Sequence, residues 1–243
     1  MCGRIIQSSE PLRLAIVEGF DVSDSRIANI RPRYNGAPSQ ELLVIRENHK
    51  TGERSLDLIR WGLIPHRCQD PTGGRKPINA KAESVSRLPT FRDAYAQRRC
   101  IVPVDGFFEW RAIKGARAKQ PYAIAMKDGS PFGLAGLLAQ SEHRRMGTDL
   151  CDRHGTVQHI GEADPPRMPA ILDPATYDRW LSPEPDPTEL LLSYPPQFMV
   201  MWPISTRVNS PDNDDPSLLH RSADAFEIWA PLRKEGSAAH YWA

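Results

Sequence analysis

The chain has 243 residues, of which 25% are charged and 40% belong to the hydrophobic set. This composition excludes long disordered, collagen-like and coiled-coil chains, and the length suits one large domain or two small ones. Lys and Arg number 31 and Asp and Glu number 30, so the net charge is +1 and a site for a polyanion must be a local basic patch. No apolar run approaches the ~20 residues of a membrane helix, and the start lacks the apolar core of a signal peptide. We therefore expect a soluble, cytoplasmic protein.

The predicted elements are short, because 23 prolines interrupt the chain. Helical spacing of apolar residues predicts a helix over 12–20, and Asn-Gly before a proline predicts a turn over 33–38. A polar loop over 47–53 joins the first two strands of the central region. Apolar runs predict central strands over 42–46, 56–61, 100–104, 106–110, 122–126 and 132–138.

The last third of the chain is predicted to contain one more helix and one more strand. Asp-Pro at the start of 173–181 is a typical helix N-terminus, and 199–204 is apolar enough for a strand. A polar loop follows over 210–216. These elements favour one α+β domain over 1–221, with a loosely attached tail over 222–243.

Cys2 is notable for its position. When methionine aminopeptidase removes Met1, the chain begins with an α-amine and a thiol on one residue. The pKa of the amine is ~8 and that of the thiol ~8.5, so both nucleophilic forms exist near neutral pH. Such a 1,2-aminothiol can form an imine with an aldehyde and close to a thiazolidine ring, or attack an amide as an N-terminal nucleophile. A cysteine that is second by chance is the alternative.

Two further segments place polar groups where chemistry could use them. Residues 78–83 alternate apolar and polar side chains, so Asn79 and Lys81 would share the wet face of a strand. Glu109 lies between Phe108 and Trp110, where partial desolvation would raise the pKa of its carboxyl toward acid–base values. A solvated strand face and an exposed glutamate are the respective alternatives.

Several common site types have no matching pattern. The sequence has no P-loop, G-x-G-x-x-G, H-E-x-x-H or G-x-S-x-G motif, and no cysteine pair has C-x-x-C spacing. We therefore expect no metal site, disulfide framework or cofactor. The arginines of 92–99 could follow a phosphate backbone, although each is more often a solvated residue.

Taken together, these segments resemble the SOS response-associated peptidase (SRAP) family, the abasic-site-crosslinking proteins of bacteria and eukaryotes. They occur in the family's order and span residues 1 to about 220. The matching segments are Met1-Cys2-Gly3-Arg4, Arg33-Tyr34-Asn35-Gly36-Ala37-Pro38, Trp61-Gly62-Leu63-Ile64-Pro65, Asn79-Ala80-Lys81-Ala82-Glu83, Cys100-Ile101-Val102-Pro103, Asp105-Gly106-Phe107-Phe108-Glu109-Trp110, Arg167-Met168-Pro169 and Val208-Asn209-Ser210-Pro211.

The resemblance implies a single β-rich α+β domain of strongly twisted, antiparallel, barrel-like sheets with a few flanking helices and a basic groove for single-stranded DNA. It implies that Cys2 forms a thiazolidine with the opened sugar of an abasic site, positioned by Asn79, while Glu109 moves protons. The loop after Trp61 would block duplex DNA. The resemblance further implies a monomer, nucleoid-associated when bound to DNA, in which these residues contact the DNA: Arg4, Asn35, Trp61, Lys81 and Arg167.

One segment departs from the family pattern. The family has a histidine in an Ile-His-x-Arg-Met-Pro setting, whereas this chain has Pro165, which cannot transfer a proton through its side chain. The stretch 138–164 is polar and lacks the family's apolar strand. In a diverged, weakened paralogue His154 or His159 could substitute, but no pattern places either near Cys2.

We interpret this departure as a compensated frameshift. Codons permitted for 138–166, when read one base later, can encode the apolar strand Thr-Phe-Ala-Ile-Val-Thr and then Ile-His-Pro, directly ahead of Arg167-Met168-Pro169. The gene sequence tests this interpretation. We expect its bases to spell that string in the second frame, and bases that cannot do so would leave divergence as the explanation.

Three functions remain open from the sequence. The first is a covalent sensor of abasic sites in single-stranded DNA with SRAP-type crosslinking activity, of a lyase- or peptidase-like kind. The second is a peptidase in which Cys2 attacks an amide. Its substrate would be either the chain's own Met1 junction alone or other peptides as well. The third is a DNA-binding module that lacks catalysis, which the loss of the histidine at Pro165 would favour.

Overall fold

The computed structural model describes residues 3–17, 20–21, 27, 30–62, 77–113, 117–139, 156–161 and 168–222. Its α-helices are α1 (Pro11–Leu14), α2 (Arg92–Gln97) and α3 (Tyr177–Leu181). Its strands are β1 (Ile5–Gln7), β2 (Phe20–Asp21), β3 (Arg33–Gly36), β4 (Glu41–Glu47), β5 (Arg54–Trp61), β6 (Asn79–Lys81), β7 (Arg99–Val104), β8 (Gly106–Arg111), β9 (Gln120–Met126), β10 (Phe132–Ala139), β11 (Thr156–Gly161) and β12 (Met199–Pro203).

The strands form two sheets. The first has the order β12-β9-β8-β1-β3, and all its neighbours are antiparallel. The second has the order β2-β5-β4-β7-β10-β11-β6, and it curls so that β11 also pairs with the end of β5. Its parallel pairs are β2–β5, β11–β6 and β11–β5, and its other pairs are antiparallel. The expected β-rich α+β domain is confirmed. Over the described ranges, however, the sheets do not form a closed barrel.

The period-two pattern of β4 explains how the second sheet is buried on both faces. Leu43 and Ile45 point into one apolar cluster with α2 and α3, whereas Leu42 and Val44 point into a second cluster. The second cluster also contains Ile5, Phe107 and Ile124 of the first sheet, so it joins the two sheets. The site described below lies at the edge of this second cluster.

The predicted helix over 12–20 is mostly wrong. Among the described residues of this range and its flanks, helix is limited to Pro11–Leu14, and Phe20–Asp21 forms β2. Leu14 is fully buried while Leu12 is 73% exposed, so the apolar residues do not share one buried face. A helix this short has no intrinsic stability and depends on its packing.

The predicted turn over 33–38 is also wrong in position. Residues 33–36 form β3, because β1 pairs with them and Ile5 lies opposite Gly36. The chain reverses directly afterwards, where the amide of Gln40 donates to the carbonyl of Ala37 and Ser39 has a φ of 73°. Asn35 and Gly36 are therefore part of strand β3, and the chain turns at the residues that follow them.

The predicted helix over 173–181 is confirmed in a divided form. Pro174–Thr176 is a 3-10 turn, and α3 follows it. The carboxylate of Asp173 caps the turn by accepting from the amide of Ala175 at 2.9 Å. The buried indole of Trp180 then donates to the carbonyl of Cys100 at 2.8 Å, which fixes α3 on β7.

β11 lies inside the stretch 138–164, where the sequence predicted no strand. Its backbone fills the space between β10 and β6, with Gly136 opposite His159 on one side and Asn79 opposite His159 on the other. Ladder hydrogen bonds need no apolar side chains, so a polar sequence can satisfy two sheet edges. Pro165 and residues 223–243 of the predicted tail lie outside the described residues. No helix in the described ranges is long and apolar enough to span a membrane.

Candidate functional site

The first strand brings the start of the chain alongside β8. Ile5 pairs with Phe107 in antiparallel register, and the amide of Phe108 donates to the carbonyl of Arg4 at 3.1 Å. Continuing this register toward the start of the chain brings Gly3 alongside Glu109. The register therefore places a carboxyl group beside the first described residue of the chain.

Glu109 is a half-buried carboxyl on β8. Phe108, before it, is fully buried in the third apolar cluster, and Trp110, after it, packs partly against the same cluster. Burial raises the pKa of Glu109 above its ordinary value of 4.5. A carboxyl whose pKa is raised in this way keeps its proton to a higher pH than an exposed one, as general acid–base chemistry requires.

Arg4 is half-buried, and its guanidinium is engaged with the protein. One terminal nitrogen donates to Asn35 Oδ1 at 2.9 Å and to the carbonyl of Val208 at 2.7 Å, and the other donates to the carbonyl of Asn209 at 3.1 Å. Burial lowers the pKa of Arg4, but from so high a value that the group stays cationic at neutral pH. These contacts fix the direction of the cation near the start of β1.

Two residues expected to contact DNA are buried. Asn35 is 0% exposed and Trp61 is 1% exposed. The indole of Trp61 packs in the second apolar cluster and donates to the carbonyl of Ile78 at 3.0 Å. Both side chains therefore lie inside the protein, although β3 is the edge strand of the first sheet.

Asn79 and Lys81 lie on β6 with the predicted alternation. Asn79 is half-buried, Ala80 is buried and Lys81 is exposed. Ile78, just before β6, packs against the second cluster, which also contains Phe107 of β8. The residue before Asn79 and a residue of β8 two positions before Glu109 thus meet at one apolar cluster.

Some expected site residues lie outside the described part of the chain. They are Cys2, Arg167 and the loop residues 63–76 that follow Trp61. Their predicted roles remain predictions. Within the described ranges, no group of three or more His, Cys, Asp or Glu side chains is placed to hold a metal ion.

Sequence reasoning missed the loop that surrounds Arg4. Residues 206–214, here called the 206–214 loop, supply two of the carbonyl oxygens that Arg4 binds. Its Asn209 also accepts from the Trp110 indole at 2.7 Å, through Oδ1. The match of 208–211 to the family pattern was the available signal, but it did not indicate these partners.

The fold and site define a β-rich α+β domain whose first strand begins beside a half-buried carboxyl. Residues 1–211 match the family model described as SOS response associated peptidase (SRAP). The chain belongs to this family.

The chain is similar to several named relatives and solved structures. It is 35% identical over 227 residues to the abasic site processing protein YoqW of Bacillus subtilis, covering 90% of this chain and 99% of that one. It is 29% identical over 226 residues to the abasic site processing protein HMCES of Xenopus tropicalis, covering 78% and 66%. A crystal structure of a Bacteroides thetaiotaomicron protein superposes with a TM-score of 0.74 at 26% identity, covering 91% and 100%. The match supports the fold along nearly the whole chain.

Proposed function

We propose that this protein crosslinks itself to abasic sites in single-stranded DNA through Cys2, after removal of Met1. The observation that carries the proposal is the β1–β8 register, which brings Gly3, the residue after Cys2 in the sequence, alongside the half-buried carboxyl of Glu109. Family membership and relatives named as abasic site processing proteins support the same substrate.

The proposed reaction forms two bonds to one carbon and releases one water. The α-amine of Cys2 attacks the aldehyde carbon of the ring-opened sugar, and loss of water gives an imine. The thiol then adds across the C=N bond, so that sulfur bonds to the carbon and the thiol proton ends on nitrogen. Ring closure is intramolecular, which makes it favourable by proximity.

Two side chains serve this reaction. Glu109, whose pKa is raised by burial, takes a proton from the attacking amine and returns it to the departing oxygen. Asn79, half-buried on β6, hydrogen-bonds the opened sugar. Arg4, Lys81 and Arg167 bind flanking phosphates, and the loop after Trp61 excludes a paired strand. The protein acts as a monomer in the cytoplasm, on nucleoid DNA.

A second candidate is suggested by the word peptidase in the family's description. The same N-terminal thiol would attack an amide carbonyl, and the amine would act as its base. The proposed crosslinking needs an aldehyde, whereas this reaction needs a peptide, so the two are separable.

A denaturing gel tests the proposed function. The protein is incubated with a single-stranded oligonucleotide that carries one abasic site, and with the same oligonucleotide without it. We expect a shifted band that survives denaturation only with the abasic site. Binding without that band would indicate a non-covalent module, and cleavage of a supplied peptide without it would indicate a peptidase; both would contradict the proposal.

Lys81→Ala should weaken binding to undamaged single-stranded DNA and reduce its salt dependence. Lys81 is exposed on β6, so its ammonium can release a counterion from a phosphate. We expect the slope of log affinity against log salt to fall by about 0.7 in magnitude. Fluorescence anisotropy across a salt series measures this slope.

Lys127→Ala is the matched control, because Lys127 is an exposed lysine whose ammonium lies at the carbonyl of Gln197, near the end of β12. It should leave the slope unchanged. An unchanged slope for Lys81→Ala would remove Lys81 from the DNA contacts.

A further inference from the structure

The 206–214 loop is attached to both β1 and β8 by an apolar contact. Val208 is fully buried in the third cluster with Ile6 of β1 and Phe108 of β8. This contact places the loop's carbonyl groups beside Arg4. It does not by itself orient them, since the residues on both sides of Val208 are exposed.

Asn35 orients those carbonyl groups. Its Nδ2 amide lies within hydrogen-bond distance of three carbonyl oxygens of the loop: those of Val208 at 3.2 Å, Ser210 at 3.0 Å and Asn213 at 2.8 Å. Its Oδ1 accepts from Arg4 at 2.9 Å. One fully buried amide thus connects the loop, β3 and the Arg4 cation.

The far end of the loop is attached to β3 as well. Asp214 Oδ1 accepts from the backbone amides of Tyr34 at 2.5 Å and Asn35 at 2.8 Å. Its other oxygen lies 3.5 Å from the guanidinium of Arg33. This carboxylate holds the backbone of Asn35 and so fixes where its side-chain amide lies.

The loop also contacts the residue next to Glu109. Asn209 uses its backbone carbonyl for Arg4 and its side-chain Oδ1 for the indole of Trp110. A shift of the loop would therefore move Arg4, directly before β1, and release Trp110 on β8. Arg4 and the residue after Glu109 thus both depend on one loop.

We propose that Asn35 is a positioning residue for the crosslinking reaction, which acts through Arg4 and the 206–214 loop without touching DNA. The proposal rests on the proposed function and gives a different role to a residue that the family resemblance assigned to DNA contact. Asn35 is 0% exposed, so its amide meets the site only through its partners. Arg4 is the partner that reaches the site.

A double-mutant cycle tests this role. The variants Arg4→Ala, Asn35→Ala and the double variant are compared in the rate constant of crosslinking and in affinity for undamaged single-stranded DNA. We expect Asn35→Ala to slow crosslinking about tenfold or more, as for loss of hydrogen bonds to a charged group. Because Asn35 acts through Arg4, we expect the crosslinking rate constant of the double variant to be within about threefold of that of Arg4→Ala alone.

Asn48→Ala is the control, since Asn48 is an exposed amide in the β4–β5 turn. It should crosslink like the unmodified protein. If Asn35→Ala shows no cooperative thermal transition, Asn35→Ser, which keeps an oxygen for Arg4, takes its place in the cycle. If Asn35 had a purely structural role, the reductions in rate constant of the two single variants would multiply in the double variant.

The outcomes separate this proposal from the function on which it rests. Multiplying losses, or an Asn35 variant that crosslinks at the unmodified rate, would overturn the positioning role alone. Failure of the unmodified protein to crosslink would overturn the proposed function and this role with it. A loss in DNA affinity from Asn35→Ala that is equally large when Arg4 is already alanine would indicate a direct DNA contact instead.

Discussion

Cys2→Ala should abolish the denaturation-resistant band. The variant keeps an α-amine after Met1 removal but has no sulfur, so the imine cannot close to a thiazolidine and hydrolyses back. The amine can still react, and borohydride reduction should therefore recover a band by trapping the imine. Denaturing gels with and without the reductant measure both effects.

The internal cysteines provide the control for this experiment. Cys68→Ala and Cys151→Ala remove a thiol that has no α-amine on the same residue, so both should crosslink at the unmodified rate. A persistent band in Cys2→Ala without reductant would show that another nucleophile forms the crosslink, and the account would fail at its chemical step.

Glu109→Gln should slow crosslinking by about 10²–10⁴, the range typical of a lost acid–base group. Glutamine keeps the size and polarity of the side chain but cannot exchange a proton. Quenched time courses on abasic-site DNA measure the rate constant. Glu83→Gln, an exposed glutamate after β6, is the matched control and should have no effect.

The pH dependence of the crosslinking rate tests the same role of Glu109. Burial raises the pKa of Glu109 above 4.5, so the ionised form that accepts a proton is lost as pH falls through that raised value. Protonation of the Cys2 α-amine, with a pKa of ~8, lowers the rate in both proteins. Protonation of Glu109 should add a further decline at a pH above 4.5, and this further decline should be absent in Glu109→Gln. Since the ionised form is the one that burial disfavours, Glu109→Gln should be no less stable at neutral pH. A full rate in Glu109→Gln would remove the carboxyl from the mechanism.

The strands were predictable where the sequence alternates or runs apolar. Strands β4, β5, β7, β8, β9, β10 and β12 all lie on predicted runs, because each buries at least one face against a cluster. The helix over 12–20 was not predictable, because periodicity does not show that Leu12 remains exposed. Nor does a polar composition exclude β11, whose position depends on the strand edges beside it.

Some features of the candidate site could likewise be predicted from the sequence and others could not. Glu109 could be named as a candidate because it is a single carboxylate within an apolar, aromatic run that predicts a strand. The surroundings of Arg4 could not be found, since Val208 lies 204 residues away and Asn35 lies 31 away. A residue's identity shows that it can donate or accept a hydrogen bond, but the partner depends on the tertiary fold. The sequence predicts that Asn35 contacts DNA but could not show that its amide hydrogen-bonds Arg4 and carbonyls of the 206–214 loop.

Mass spectrometry of the crosslinked product tests the central claim most directly. The account predicts a mass equal to the chain without Met1 plus the abasic-site oligonucleotide less one water, with the modification on the N-terminal peptide that begins at Cys2. The mass of the unreacted protein would also report the composition of 138–166. A crosslinked product that retains Met1, or that carries the DNA on any other residue, would contradict the account.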